Sequence, residues 1–517
     1  MTTVKVAAGT LQGIRQNGIH AFLGVPYAAP VKPERRFDAP QPVSPWQGVR
    51  DATQLGPVCP QIPTYGPVGA AATSKLAFGE DFLTVNIRTP DTAGRAPVLF
   101  WIHGGGYAVG SANEPVLQSG AFAASGIVEV TVNYRLGALG FLHLEGRPDN
   151  RGLLDLVAAL EWVRDNIAAF GGDPDQVTLA GRSAGGFAVA ALMAMPDAQG
   201  LFHRAMPQSG ASTGVASMDD AERLTRRFLA AANADEASLA ALPMNRLLEI
   251  QRDLCNQSYE EHDFARDGDA SMLGVPFVPV IEGASLPKHP ETAAREGRTA
   301  AVPMMIGCTT GEHVTHAIVQ PKMDFALCAG LLHERVLPRG LAGSDIVKRY
   351  RMALPNHSPR GIWRAIAGDL VFQLPAIRFA RLHARFNPVY KYLYGPLEAD
   401  ELGAPHGAEV GSVWYRDGSN DRELPERQRV ADPDFARAIH DLWASFIKDE
   451  RPRAPNGAWP LYHADKPVVL RAGPTGFEFT ADPFDGREAL WLPAGHDDRG
   501  PVWRLGTTRQ KHRFWAE

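Results

Sequence analysis

The chain has 517 residues, of which 45% are hydrophobic and 21% charged, with a formal net charge of −5. This is the composition of an ordinary soluble globular protein with a large core. The absence of long basic runs excludes nucleic acid and anionic membrane surfaces as partners, and no stretch is apolar for long enough to span a bilayer.

The opening MTTVKVAAGTLQGIRQNGI has no unbroken apolar core of signal-peptide length. A cytoplasmic location is therefore expected. The first 55 residues read as short strands and turns, rich in Gly and Pro. Val98 to Ile102 is a short apolar run that ends at His103-Gly-Gly-Gly, and Ile127 to Val132 is another. Between Gly152 and Phe170 the residues Leu153, Leu156, Val157, Leu160, Val163 and Ile167 recur at helical spacing, and GGDPD then ends that helix. Val177 to Ala180 is strand-like, and Ala184 to Met195 is small, apolar and suited to a helix.

From Met218 to Leu254 the pattern is helical and charged. Ala301 to Gly307 is a strand-like run, residues 320 to 385 are mostly helical, Tyr390 to Tyr394 is a late strand, and Phe435 to Lys448 is an amphipathic helix. Strands alternating with helices predict a mostly parallel, doubly wound sheet. No linker divides the chain. Residues 1–517 are expected to form one α/β domain, with helical insertions around 215–300 and 320–385 forming a lid or gorge.

Gly181-Arg182-Ser183-Ala184-Gly185 is a G-x-S-x-G that follows an apolar strand and opens a helix. In that setting the motif has mechanical meaning: a sharp turn raises the serine hydroxyl, and the helix N-terminus favours negative charge beside it. The glycines after His103 let backbone N–H groups line a cavity without side-chain obstruction. Gly105, Gly106 and Ala184 are thus the candidate oxyanion donors. No Lys-Ser/Thr follows the glycine run, so it is not a Walker loop, and no G-x-G-x-x-G occurs.

These motifs resemble those of the type-B carboxylesterases, the α/β-hydrolase family that includes cholinesterases and bacterial para-nitrobenzyl esterases. The likeness covers nearly the whole chain. FLGVPYAAP and WQGVRDAT open it, and GEDFLTVNIRTP, PVLFWIHGGGYAVGS, VNYRLGALGFL and QSG follow in family order. FVPVIEG, IGCTTGEH, PHGAEV and WASFIKDERP come later. The resemblance implies a Ser–Glu–His triad in that chain order: Ser183 as nucleophile, Glu312 as acid and His406 as base. It implies ion pairs Arg36–Glu80 and Arg135–Asp173. It also suggests Leu273 and Val275 for the acyl pocket, His316 for the gorge and Tyr65 for the loop over the entrance. The expected substrate is a small-molecule ester, with no cofactor.

Two departures from the family pattern matter. Phe82 stands where the family has a cysteine, so Cys59 lacks its usual partner. With Cys255, Cys308 and Cys328 also widely spaced, four reduced thiols are expected. Arg182 replaces the acidic residue that precedes the nucleophile in cholinesterases and favours cationic alcohols there. Poor use of choline esters and better use of neutral or anionic esters is the expectation. The alternative is that Arg182 only pairs with a local carboxylate. Hydrolysis of amides or carbamates, or acyl transfer, would use the same catalytic parts. A non-catalytic relative would be expected to lack a triad member. A metal centre is not expected, since His313 and His316 come without an HExxH.

Overall fold

The computed structural model describes residues 1–63, 77–261, 263–312, 323–332, 336–337, 340–396, 403–416 and 429–492. Its strands are β1 (Thr2–Val6), β2 (Gly9–Gln16), β3 (Ile19–Pro26), β4 (Val49–Asp51), β5 (Thr84–Thr89), β6 (Ala96–Ile102), β7 (Val128–Val132) and β8 (Gly172–Arg182). There follow β9 (Arg204–Gln208), β10 (Met304–Thr309), β11 (Val389–Tyr394), β12 (Arg453–Ala454), β13 (Gly457–Ala458), β14 (Val468–Gly473) and β15 (Gly476–Ala481).

Thirteen of these form one sheet in the order β1-β2-β3-β5-β7-β6-β8-β9-β10-β11-β14-β15, with β4 beside β2. The run from β7 through β6, β8, β9, β10 and β11 to β14 is parallel throughout. The flanks β1-β2-β3-β5-β7 and β14-β15 are antiparallel. This is a large, mostly parallel sheet flanked by helices, as expected. Covering both faces explains why β7 and β10 are buried at every position, whereas β1 at the edge alternates.

The pleat divides the core in two. On β6, Val98, Phe100 and Ile102 face one apolar cluster, and Leu99 and Trp101 face the other. The larger cluster takes Leu153, Leu156, Leu160 and Val163 from the helix Arg151–Asn166. The smaller is closed by Ile439, Leu442, Trp443, Phe446 and Ile447 of the helix Pro433–Asp449. The helix Ala184–Ala194 is buried along its whole length. Its early glycines lie hard against the sheet: a Cβ on Gly185 would be 2.1 Å from the Ile102 carbonyl oxygen, and one on Gly186 would be 2.8 Å from that of Gln208. The predicted helix over 152–170 and the strands around 98–102, 127–132, 177–180, 301–307 and 390–394 are all present. GGDPD does more than stop the helix, because β8 already begins at Gly172.

Both expected ion pairs differ. Arg135 pairs with Asp155, with Nη2–Oδ1 at 2.6 Å and Nε–Oδ2 at 2.8 Å, and both side chains are buried. Asp173 instead pairs with the exposed Arg95 at 2.9 Å. The reason is topological: Arg135 follows the C-terminal end of β7, while Asp173 opens β8, and β7 and β8 both run parallel to β6. The two residues therefore sit at opposite ends of the sheet. Arg36 forms no ion pair among the described residues. It donates to the carbonyls of Pro33 at 3.1 Å and Leu242 at 3.0 Å, and burial lowers its pKa against a weaker pull from Glu80.

Candidate active site

Ser183 stands between β8 and the helix Ala184–Ala194, with φ 59° and ψ −121°. That left-handed φ is strained for a residue with a Cβ, and such strain gathers at functional sites. The turn is held because the Ser183 N–H donates to the Gln208 carbonyl at 2.9 Å, and its own carbonyl accepts from Phe187 N–H at 2.9 Å. The glycine two residues before it is required too, since a Cβ on Gly181 would lie 2.6 Å from the Gly185 carbonyl oxygen.

The structure brings His406 and Glu312, the expected base and acid, together. His406 Nδ1 and Glu312 Oε2 are 2.5 Å apart. The other carboxylate oxygen of Glu312 accepts from Thr309 N–H at 2.8 Å. Glu312 follows β10 by a short loop, and its side chain is fully buried while the imidazole is 13% exposed. Burial pushes the Glu312 carboxyl upward. The adjacent His406 charge and its hydrogen bond outweigh that, and the acid stays below the usual carboxylate range. The Ser183 hydroxyl makes no hydrogen bond among the described residues, the imidazole included. Catalytic hydrogen bonds are often long before substrate binds.

The glycine loop lies across from the nucleophile. Gly105 and Gly106 have φ of 116° and 62°, a conformation that side chains rarely adopt. A Cβ on Gly105 would fall 2.0 Å from the Val109 carbonyl oxygen. Ala184 is the first residue of its helix, where N–H groups have no intrahelical acceptor. Below the loop, His103 stacks on Tyr134 with ring centroids 4.7 Å apart. Burial lowers the His103 pKa to about 4, so the ring is neutral at pH 7.

Of the suggested substrate-binding residues, Val275 reaches the site, since a Cβ on Gly106 would meet its Cγ1 at 3.1 Å. Leu273 ends the short helical segment Gly268–Leu273 and packs, half-buried, on the main core. Tyr65 and His316 lie outside the described residues. Arg182 is 6% exposed, and its guanidinium is wedged between Gly104 and Gly407. It forms no ion pair or hydrogen bond through its side chain among the described residues. The carboxylate that acts on it electrostatically is the buried Glu409.

Three further residues escaped the sequence reading. Phe372 lies on a π-helical turn, Asp369–Gln373, and its ring centroid is 4.8 Å from that of His406 and 5.9 Å from that of Phe187. Turns of this type are rare and gather at functional sites. Gln373 on the same turn donates to the Thr309 carbonyl at 2.7 Å, bracing the strand end that precedes the acid. Ser209, buried and with φ 43°, helps keep Glu312 charged, although its hydroxyl lacks a hydrogen bond of ordinary geometry. A π-turn and a tertiary contact leave no spacing signal. Ser209 alone had one, as the centre of the QSG motif.

Comparison with known proteins places these features in context. Residues 1–484 match the model described as "Carboxylesterase family". The para-nitrobenzyl esterase of Bacillus subtilis (strain 168) is 34% identical over 474 residues, covering 89% of this chain and 93% of that protein. Phenmedipham hydrolase of Pseudarthrobacter oxydans is 33% identical, covering 92% and 96% respectively. The structure of the Geobacillus stearothermophilus carboxylesterase superposes with a TM-score of 0.80 at 32% identity, covering 95% of this chain and 100% of that one.

Proposed function

The chain belongs to the carboxylesterase family and is a serine-type carboxylic-ester hydrolase, and from that premise we propose that Ser183, His406 and Glu312 carry out the reaction. The observation that carries this reading is the His406–Glu312 contact at 2.5 Å, assembled beside the strained serine turn.

A serine hydroxyl attacks poorly until a base takes its proton. His406 accepts that proton through Nε2 while Glu312 holds Nδ1–H and stabilises the imidazolium. The ester carbonyl oxygen, turning into an oxyanion, takes hydrogen bonds from the N–H groups of Gly105, Gly106 and Ala184. His406 then delivers its proton to the leaving alcohol. Water repeats the sequence on the acyl-enzyme, with His406 again as base. Val275, against Gly106 of the donor loop, limits the acyl group. A small-molecule ester is the substrate, and no step calls for a cofactor.

Ser183→Ala should abolish turnover of para-nitrophenyl acetate, and unchanged turnover would overturn the triad. A fluorophosphonate should label the Ser183 peptide and no other serine, as read by mass spectrometry. A cytoplasmic location is supported by four cysteines that are all buried and free, which suits a reducing compartment. Among the described residues no helix is long and apolar enough to cross a membrane.

A further inference from the structure

Arg182 is a charge without a partner in a place where that is costly. Its side chain is 94% withdrawn from solvent and makes no ion pair or hydrogen bond among the described residues. None of its nitrogens is among the buried polar atoms that lack a partner, so the guanidinium keeps some contact with solvent while bonding to no described residue, and a ligand can complete it. Its position is tightly fixed: a Cβ on Gly407 would come 2.7 Å from Nη1, and one on Gly104 would come 3.2 Å from Nη2. The charge thus lies between the oxyanion loop and the loop that carries His406.

The neighbouring groups do not neutralise it. Glu312 is committed to His406 and Thr309. His103 is neutral at pH 7. Glu409 is fully buried, and neither of its oxygens has a hydrogen-bond partner. Burial, and then repulsion by Glu312, push its pKa up to about 7, so it is protonated in a large share of molecules at neutral pH. Arg182 is therefore a cation beside Ser183 that no described group pairs with directly.

The side of the substrate that meets this charge also follows from position. Nη1 abuts Gly407, next to His406, the group that protonates the leaving alcohol. Val275 abuts Gly106, at the other end of the donor loop. We propose that Arg182 is a specificity-determining residue that binds a carboxylate on the alcohol portion of the ester, making this an esterase for anionic esters. The assignment of the leaving side rests on the triad reading above.

Three aryl acetates separate the possibilities: 4-acetoxybenzoate, its neutral methyl ester, and the cationic 4-acetoxyphenyl-trimethylammonium. The readout is the ratio of kcat/KM values within each variant, which cancels general damage to the enzyme. The wild type should prefer the anion over the neutral ester once leaving-group reactivity is corrected against hydroxide. Arg182→Gln should lower that ratio about tenfold to a hundredfold, chiefly through KM. Arg182→Glu should turn the preference toward the cation. At pH 8, where Glu409 is mostly ionised in the wild type, Glu409→Gln should raise the anion ratio by removing a carboxylate that competes for Arg182; this variant keeps the guanidinium and decides the matter if Arg182→Gln does not fold. A ratio that stays flat in Arg182→Gln, or in Glu409→Gln, would overturn the proposal and leave Arg182 a solvated structural charge. Failure of the triad looks different: Ser183→Ala would then retain turnover of all three esters.

Discussion

At the scale of single residues, the active site depends on groups that cannot be replaced by near relatives. Gly105 is one. A methyl group there would strike the Val109 carbonyl oxygen, so Gly105→Ala must displace the donor loop. We expect kcat to fall about a hundredfold to a thousandfold, the usual cost of one lost oxyanion donor, and thermal stability to fall as well, because the positive φ and the backbone clash both strain the alanine variant. Glu312→Gln keeps the shape of the acid but removes the charge that orients Nδ1–H. Its kcat should fall on the order of ten-thousandfold, with KM nearly unchanged, in a stopped assay on para-nitrophenyl acetate. The strained turn at Ser183 and the positive-φ glycines of the proposed donor loop were legible in the sequence because local chain geometry creates them. Glu312 and His406 were not legible from local pattern alone: sixteen histidines compete, and only the motif order of the family singled out His406. Phe372 and Gln373 were missed because they reach the site through tertiary contacts.

At the scale of elements, two carboxylates illustrate how context sets the value of an ion pair. Asp155 holds Arg135 through two side-chain bonds and also accepts from the Arg135 backbone N–H at 3.0 Å, all out of solvent. Asp155→Ala leaves a buried guanidinium uncompensated and should cost about 3–5 kcal/mol in a denaturant titration. Arg95→Ala breaks its pair from the exposed side and leaves Asp173 its bonds from the Asp175 N–H and Gln176, so the unfolding midpoint should barely move. The sequence reading chose the wrong partner here because it had residue types and family order without the direction of each strand. The strands near the site and the helix Arg151–Asn166 were readable from periodicity. Which end of which strand each charge occupies was not.

At the scale of the whole molecule, buried imidazoles tie stability to pH. Burial lowers His289 to about 3 and His103 to about 4, from an ordinary value of 6.5. As pH falls below about 6.5, the unfolded chain takes up protons at these positions while the folded chain does not. Stability should therefore decline from about pH 6.5 down to about pH 4, and for His289 to about pH 3. Glu409 opposes this between about pH 4.5 and 7, because its folded form binds the proton more tightly than an ordinary carboxyl of 4.5. Burial likewise lowers His203, His383 and His440 and raises Glu129 and Asp369, so the lowered histidines outnumber the raised carboxyls and leave a net loss on acidification. Urea midpoints measured across this range should show it, and His289→Asn, which retains a side-chain acceptor for the Glu291 N–H, should flatten the slope.

The strand order has a consequence for how the protein is made. β10 stacks onto β9 across about a hundred intervening residues, and β14 joins β11 only after nearly eighty more. The parallel sheet cannot close on the ribosome until the last tenth of the chain has emerged. Until then β11 presents an open edge and an apolar face to its surroundings, including any other nascent chain. Loop closures of that length make folding slow, and a chain halted before residue 468 should need a chaperone to stay dispersed. Synthesis of this enzyme is thus limited by its final strands as much as by its catalytic half.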